Sequence, residues 1–360
     1  MKAAIFTEPG KPLEIAEAEI DEPRPREVSF RTSAVGLCRS DLHFLDGVYP
    51  YPAPTILGHE AAGVVEAVGS EVRHVQPGDH VVSFLAPSCG SCRLCQNGQH
   101  TLCQDPSMQR APDDKQRLSI GGEDIAQFLN LSGFAEEMLV HENAVVKITE
   151  DMPMDRAALI GCSVVTGAGS VFNACGIKAG ESIAIVGAGG IGLSAINAAK
   201  IAGAGEIIAI DPVASKRALA EKMGATKTFD ALDEDVVERV IAATGGGVDY
   251  AIECVGKAVT AQLTWKILRR GGSAVIVGMI PPGEMMEIHG PEFLQGKSIK
   301  GALMGAGHFM QDMPRLVDHY LAGRLDLDTV IAERIALEDI NDGFEKLRSG
   351  DSTRSVIVFD

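Results

Sequence analysis

The stretch that decides the fold runs from Glu181 to Lys200, ESIAIVGAGGIGLSAINAAK. Ser182–Val186 reads as a short apolar strand and Ile191–Ala202 as a helix of small residues. Between them lies Gly187-Ala-Gly189-Gly190-Ile191-Gly192. A Gly-x-Gly-x-x-Gly run is weak alone. Between a strand and a helix it marks a dinucleotide site: the first glycine permits the tight turn, the second admits the pyrophosphate, and the third allows close helix–strand packing. The helix N-terminus adds free N–H groups and positive dipole charge for the phosphates. Asp211 ends the next strand, Ile207–Ile210, at about the spacing expected for an acid that binds the adenosine ribose and repels a 2′-phosphate. Pro212, Val213 and Ala214 offer that phosphate no cation, so NAD is expected over NADP; Lys216 and Arg217 are the nearest positive charges.

Downstream, Ser215–Met223 reads as a helix and Tyr250–Ile252 and Ser273–Val277 as strands, with a helix between them ending near Arg270. Strands alternating with helices imply an α/β, doubly wound parallel sheet. Upstream the pattern differs. Short β-rich runs (Ala61–Val68, His80–Phe84, Phe134–Val140) are divided by turns such as Pro77-Gly78-Asp79, which implies a mostly antiparallel β domain. An amphipathic helix around Met313–Ala322 and a strand at Ser355–Phe359 close the chain. Two domains also suit 360 residues.

Composition narrows the function. The 40 glycines follow no period, which excludes a collagen-like chain. A net charge of −17 argues against nucleic acid or an anionic membrane as partner. Pro and Glu interrupt the N-terminus, MKAAIFTEPGKP, before a signal-peptide core can form, and the apolar runs around Ile183 and Val275 are too short to span a membrane. A cytoplasmic location is expected, in which the eight cysteines serve as metal ligands or buried thiols rather than disulfides.

Cys89, Cys92, Cys95 and Cys103 form C-x2-C-x2-C-x7-C. Four thiolates within 15 residues can wrap one tetrahedral Zn²⁺ with no open position, a structural site; an iron–sulfur cluster is the chemical alternative. A second group is dispersed: Cys38, His59 and Cys162. Two thiolates and an imidazole leave a fourth position open, as a catalytic zinc requires. Spacing alone does not show that these three meet. Cys175 and Cys254, in apolar segments, read as buried hydrophobes.

Together these motifs resemble the medium-chain dehydrogenase/reductase superfamily, and within it the zinc alcohol dehydrogenases. Gly58-His59-Glu60-Ala61-Ala62-Gly63 matches the zinc signature, Gly36-Leu37-Cys38-Arg39-Ser40-Asp41-Leu42-His43 the segment of the first ligand, and Ile160-Gly161-Cys162 through Thr166-Gly167 that of the third. The resemblance implies a GroES-like catalytic domain over residues 1–163 and 304–360 holding both zincs, and a Rossmann NAD domain over 164–303. It implies that Ser40 takes the alcohol proton and His43 passes it on, with Asp41 holding the His59 ring and Glu60 behind the metal. Arg39 and Arg354 would clamp the pyrophosphate, Thr166 would face the nicotinamide, and Lys216 and Lys257 would neighbour the cofactor's ribose and phosphates.

By the same resemblance Leu85, Phe128, Leu129, Met279 and Ile280 line the substrate channel. Their apolarity, with Leu85 in place of an aromatic ring and serine at 40, implies a medium-chain or aromatic primary alcohol and its aldehyde. The nearest rival is the glutathione-dependent formaldehyde branch, acting on S-(hydroxymethyl)glutathione, because Ser132-Gly133-Phe134-Ala135-Glu136 resembles its sequences. That branch holds the glutathione carboxylate with an arginine where Ser107 stands here, leaving Arg110 as the nearest substitute. A non-enzymatic, crystallin-like or scaffold member would lack the catalytic ligands, which are all present. The resemblance also implies a homo-oligomer joined through the strand near Ser298–Met304. The long Gln104–Asn130 segment favours a dimer over a tetramer.

Overall fold

In the computed structural model, which describes residues 1–350 and 353–359, the chain forms two compact units. One comprises Met1–Ser163, His308–Ala322 and Leu327–Asp360; the other comprises Val164–Gly307 and Gly323–Asp326.

The second unit is built on Ser182–Val186, Glu206–Ile210, Lys227–Phe229, Val248–Glu253, Leu268–Ile276 and Ser298–Gly301, all parallel. In chain order these strands lie 3-2-1-4-5-6 across the sheet. The order reverses beside Ser182–Val186, and a crevice opens at such a switch point at the carboxyl ends of the strands. Ile183, Ala184 and Ile185 are fully buried, as are Ile208, Ala209 and Ile210. A sheet covered on both faces needs such unbroken apolar runs, and each large side chain buried contributes about 1.5–3 kcal/mol.

One expectation fails here. The helix placed up to Arg270 is Ala258–Lys266, and Arg269 and Arg270 lie in the strand Leu268–Ile276. Pairing with Val248–Glu253 shifts register between Val248 and Tyr250. The irregularity falls opposite Gly271 (φ +73°) and Gly272, and it interrupts the apolar pattern by which a strand is recognised.

The first unit contains two mostly antiparallel sheets. In the larger, Val145–Lys147, His80–Ser83, Ala61–Val68, Glu27–Gly36, Ser355–Val358 and Glu333–Ile335 lie side by side, and Glu137–His141 also pairs with Glu27–Gly36. The C-terminal strand thus returns to the middle of the N-terminal domain. Among the described residues one helical run, Met154–Cys175, is long and apolar enough to cross a membrane; 83% of its most apolar window is buried inside the protein.

Candidate metal and dinucleotide sites

Cys38 caps the short helix Arg39–Leu45, His59 lies just before the strand Ala61–Val68, and Cys162 sits in the helical run after Leu159. All three are buried, and their ligand atoms lie within 4.8 Å of one another. His59 Nε2 is 3.2 Å from Cys162 Sγ. Tetrahedral zinc with bonds of about 2.0 Å to nitrogen and 2.3 Å to sulfur places such atoms about 3.5 Å apart, so the donor set fits that ion.

Asp41 organises the cluster. Sitting at the third position of the helix, its Oδ2 accepts the Cys38 N–H at 3.2 Å, while Oδ1 accepts the Gly58 N–H at 3.3 Å and pairs with His59 Nδ1 at 2.9 Å. A proton on Nδ1 leaves the Nε2 lone pair facing the sulfurs, as ligation requires. Burial opposes charge on His59, but Asp41 and the Cys38 thiolate outweigh it and hold the ring well above its usual range. The Cys38 thiol is held well below the usual range, first by its contact with Cys162.

Glu60 is fully buried. Its Oε1 accepts the Ser163 hydroxyl at 2.8 Å, and its Oε2 lies 3.2 Å from Arg354 Nη1. Burial pushes its carboxyl up to about 7 despite the arginine. Arg354, expected at the pyrophosphate, is 4% exposed and donates from Nη1 to the Leu37 carbonyl at 2.7 Å. Arg39 is exposed and reaches the Leu347 carbonyl at 3.4 Å. Ser163 had only its place after Cys162 to signal it.

Ser40 and His43 share the helix Arg39–Leu45 and, three residues apart, one of its faces. His43 is half-buried with its ring edge-on to Tyr49, and burial, then Arg39, pushes its imidazole down. Among the apolar residues expected at the substrate, Phe128 is fully buried, 6.2 Å from the His59 ring. Leu85 and Leu129 are half-buried in the same unit, while Met279 and Ile280 belong to the other.

The four-cysteine group has a different character. Its sulfurs lie 3.5 Å (Cys92–Cys95), 3.8 Å (Cys92–Cys103) and 3.9 Å (Cys89–Cys95) apart. These separations are far beyond a disulfide bond of about 2.05 Å. They match the roughly 3.8 Å edge of a ZnS₄ tetrahedron, which holds one ion and leaves no room for a cluster. The backbone N–H groups of Ser91 and Cys92 donate to Cys89 Sγ, and that of Cys89 to Cys103 Sγ. Such donors favour the thiolate, and Cys92 is lowered to about 6, first by the backbone N–H of Cys95.

In the parallel-sheet unit each fingerprint glycine answers a different demand. Gly187 has φ +98°, and a Cβ on Gly192 would stand 1.8 Å from the Gly187 carbonyl oxygen. Gly189 has neither constraint: its φ is −85° and a Cβ there would meet nothing within 4 Å. The absence of a side chain at Gly189 leaves the backbone open to a ligand, which is the role a pyrophosphate requires. The helix Gly190–Ile201 begins beyond it, and the N–H groups of Gly190 and Ile191 have no acceptor within a helix that starts there. Asp211 accepts the Ala188 and Val213 N–H groups at 2.9 Å each, so its carboxylate braces the turn and keeps lone pairs for ribose hydroxyls. Arg217 is held by Asp230 at 3.0 Å and by the Asp211 carbonyl at 2.7 Å. Lys216 is half-buried and Lys257 exposed. Thr166 is buried with Oγ1 3.5 Å from Met304 Sδ, and the adjacent Gly167 packs against the Ile191 carbonyl.

Reasoning from sequence missed Glu253, fully buried at the end of its strand. Its Oε1 accepts the Val255 and Gly256 N–H groups and the Thr260 hydroxyl. A carboxylate ending an apolar strand just before Cys254-Val255-Gly256 is its signal. Arg110, the nearest cation for a glutathione carboxylate, has its guanidinium committed within the protein. Nε and Nη2 donate to the Glu27 carboxylate, Nη1 to that of Asp21 and to the Lys115 and Gln116 carbonyls, and Nη2 also to the Glu22 carbonyl.

Comparison with known proteins agrees with this geometry. Residues 24–150 match the alcohol dehydrogenase GroES-like domain and residues 190–321 the zinc-binding dehydrogenase family. An NDMA-dependent alcohol dehydrogenase of Amycolatopsis methanolica is 39% identical, covering 99% of this chain and 98% of its own. An alcohol dehydrogenase zinc-binding domain protein from Burkholderia ambifaria superposes with TM-score 0.95 at 36% identity, covering 100% of this chain and 98% of its own. Benzyl alcohol dehydrogenase from Acinetobacter calcoaceticus superposes with TM-score 0.94 at 32% identity, covering 100% and 99%. With two candidate zinc sites and both domains matched, the chain belongs to the zinc-binding medium-chain alcohol dehydrogenases.

Proposed function

We propose that this protein reversibly oxidises medium-chain or aromatic primary alcohols to aldehydes, with NAD as hydride carrier. The observation that carries the reading is the buried Cys38–His59–Cys162 cluster, three donors with two carboxylates behind them. Bound there, zinc would supply positive charge that lowers the pKa of an alcohol hydroxyl, while NAD would accept the hydride. The chain's own part is proton transfer and positioning. The Ser40 hydroxyl accepts the alcohol proton while releasing its own toward His43, which burial keeps neutral and able to take up a proton and pass one to solvent. Asp41 fixes the His59 tautomer, and Glu60, balanced by Arg354, sets the charge behind the sulfurs.

An aromatic substrate is supported by likeness to a benzyl alcohol dehydrogenase along the whole chain and by the apolar Phe128, Leu129 and Leu85. NAD preference is supported by Asp211 and by the commitment of Arg217 to Asp230. The engagement of Arg110 argues against a glutathione-linked substrate. A cytoplasmic homodimer is the setting proposed, joined through the edge strand Ser298–Gly301, beside which Leu294 and Leu303 are exposed.

The test is kcat/KM over ethanol, hexanol, octanol and benzyl alcohol with NAD and with NADP. Benzyl alcohol or a medium-chain alcohol with NAD should lead. Ethanol leading would overturn the substrate assignment, and NADP leading would overturn that of the coenzyme.

A further inference from the structure

The turn spanning residues 127–133 is strained. Leu129, Asn130 and Ser132 have φ of 48°, 65° and 60°, and of these only asparagine visits the left-handed region readily. Such backbone persists where its surroundings over-determine it, and it gathers at ligand sites. Here the surroundings are specific. The Tyr51 hydroxyl donates to the Gln127 carbonyl at 2.9 Å and accepts the Leu129 N–H at 3.2 Å. The Ser132 hydroxyl accepts the Phe128 N–H at 2.8 Å. Asn130 is gripped from two sides, donating to the Leu85 carbonyl at 3.3 Å and accepting from Gln109 Nε2 at 2.8 Å.

The turn carries Phe128, whose ring packs edge-on against Phe44 and Tyr51 and lies 6.2 Å from His59. Tyr51 therefore acts twice, with its ring against Phe128 and its hydroxyl on the backbone at either side of it. Tyr51, Gln109, Gln127 and Asn130 also border an open cavity of about 490 Å³. The clamp is not backed by solid core, so a turn released from it has room to relax.

We propose that Tyr51 is a positioning residue that sets alcohol selectivity: its hydroxyl holds the strained turn, and through it the Phe128 ring beside His59, in one place. This rests on reading the Cys38–His59–Cys162 cluster as the alcohol site. A fixed aromatic wall discriminates between alcohols by shape, and a wall free to move does so less. Tyr51 donates nothing to the metal, so the effect falls on the fit of bulky alcohols and not on zinc binding.

Tyr51→Phe keeps the ring and removes the hydroxyl. Its kcat/KM for benzyl alcohol relative to ethanol should fall about fivefold or more, mainly through KM, with zinc content unchanged. Hydrogen exchange should accelerate at the Leu129 amide. Asn130→Gly, which keeps the left-handed backbone but cuts the ties to Leu85 and Gln109, should move the ratio in the same direction by less. Ratios unchanged within twofold in both variants would overturn the proposal, as would equal losses on both alcohols accompanied by a lower Tm. A zinc-loaded wild type that oxidises no alcohol would instead overturn the functional reading, and the selectivity role with it.

Discussion

Cys89, Cys92, Cys95 and Cys103 bring four sulfurs together from 15 consecutive residues, whereas Cys38, His59 and Cys162 span 125 positions and three separate elements. The first group is largely half-exposed, and local N–H groups stabilise its thiolates. The second is buried, and its charges are set by Asp41 and Glu60, close in sequence to Cys38 and His59, and by Arg354, which comes from far along the chain. A locally built set closes around an ion with its own turn. A set assembled from distant elements can hold three donors in place and leave the fourth direction open, because the folded domain carries the cost of its burial. Thiolate ligation is common to both, and what differs is where the stabilising partners come from.

The hardest test of that contrast is Cys95→Ser. Structural zinc carries roughly 10 kcal/mol of folding energy in small zinc domains, so the variant should lose one zinc and become sensitive to proteolysis within residues 89–103. Activity in the cold should stay within about threefold of wild type if the unfolding is local. Complete loss of activity from a folded chain would mean that the two sites are not independent. Asp41→Asn should weaken only the dispersed site, by about 10- to 100-fold in zinc affinity, as measured by competition with a chelator. An equal effect on the four-cysteine site would break the comparison.

The last effect concerns acid. Low pH protonates thiolates at both sites, so the domain's own response must be separated from zinc release. Burial pushes His141 down to about 4 from its ordinary 6.5. Between those values the unfolded chain binds a proton that the folded chain refuses. Stability is therefore intact above pH 6.5 and falls as pH drops toward 4, by up to about 3 kcal/mol. His141→Gln should flatten the Tm-against-pH curve in that window; an unchanged curve would show that His141 does not govern it.

What could be read from sequence follows the same division. The glycine fingerprint and the four cysteines are local patterns, and each residue does its work near where it stands in the chain. Cys38, His59 and Cys162 are grouped by their ligand chemistry but placed at one site only through family resemblance, because nothing in their spacing brings a helix cap, a pre-strand loop and a helical run to one point. The Ser163–Glu60–Arg354 chain and the Tyr51 clamp lay beyond pattern reading. A buried ion pair between Glu60 and Arg354, or a tyrosine holding a backbone N–H 78 residues away, leaves no periodic trace. The misplaced boundary at Arg270 has a similar origin: arginines and glycines on a strand with shifted register read as a helix end and a loop.

We assign Cys38, His59 and Cys162 to one zinc site separate from that of Cys89, Cys92, Cys95 and Cys103. Zinc content per chain in wild type and Cys38→Ser, measured alongside NAD-linked benzyl alcohol oxidation, tests it most directly. Wild type should hold two zincs and turn over. The variant should hold one zinc, keep the stability of the 89–103 segment and lose activity about a thousandfold or more, as expected when a catalytic metal is removed. Two zincs retained by Cys38→Ser, or turnover at the wild-type rate with one, would contradict it.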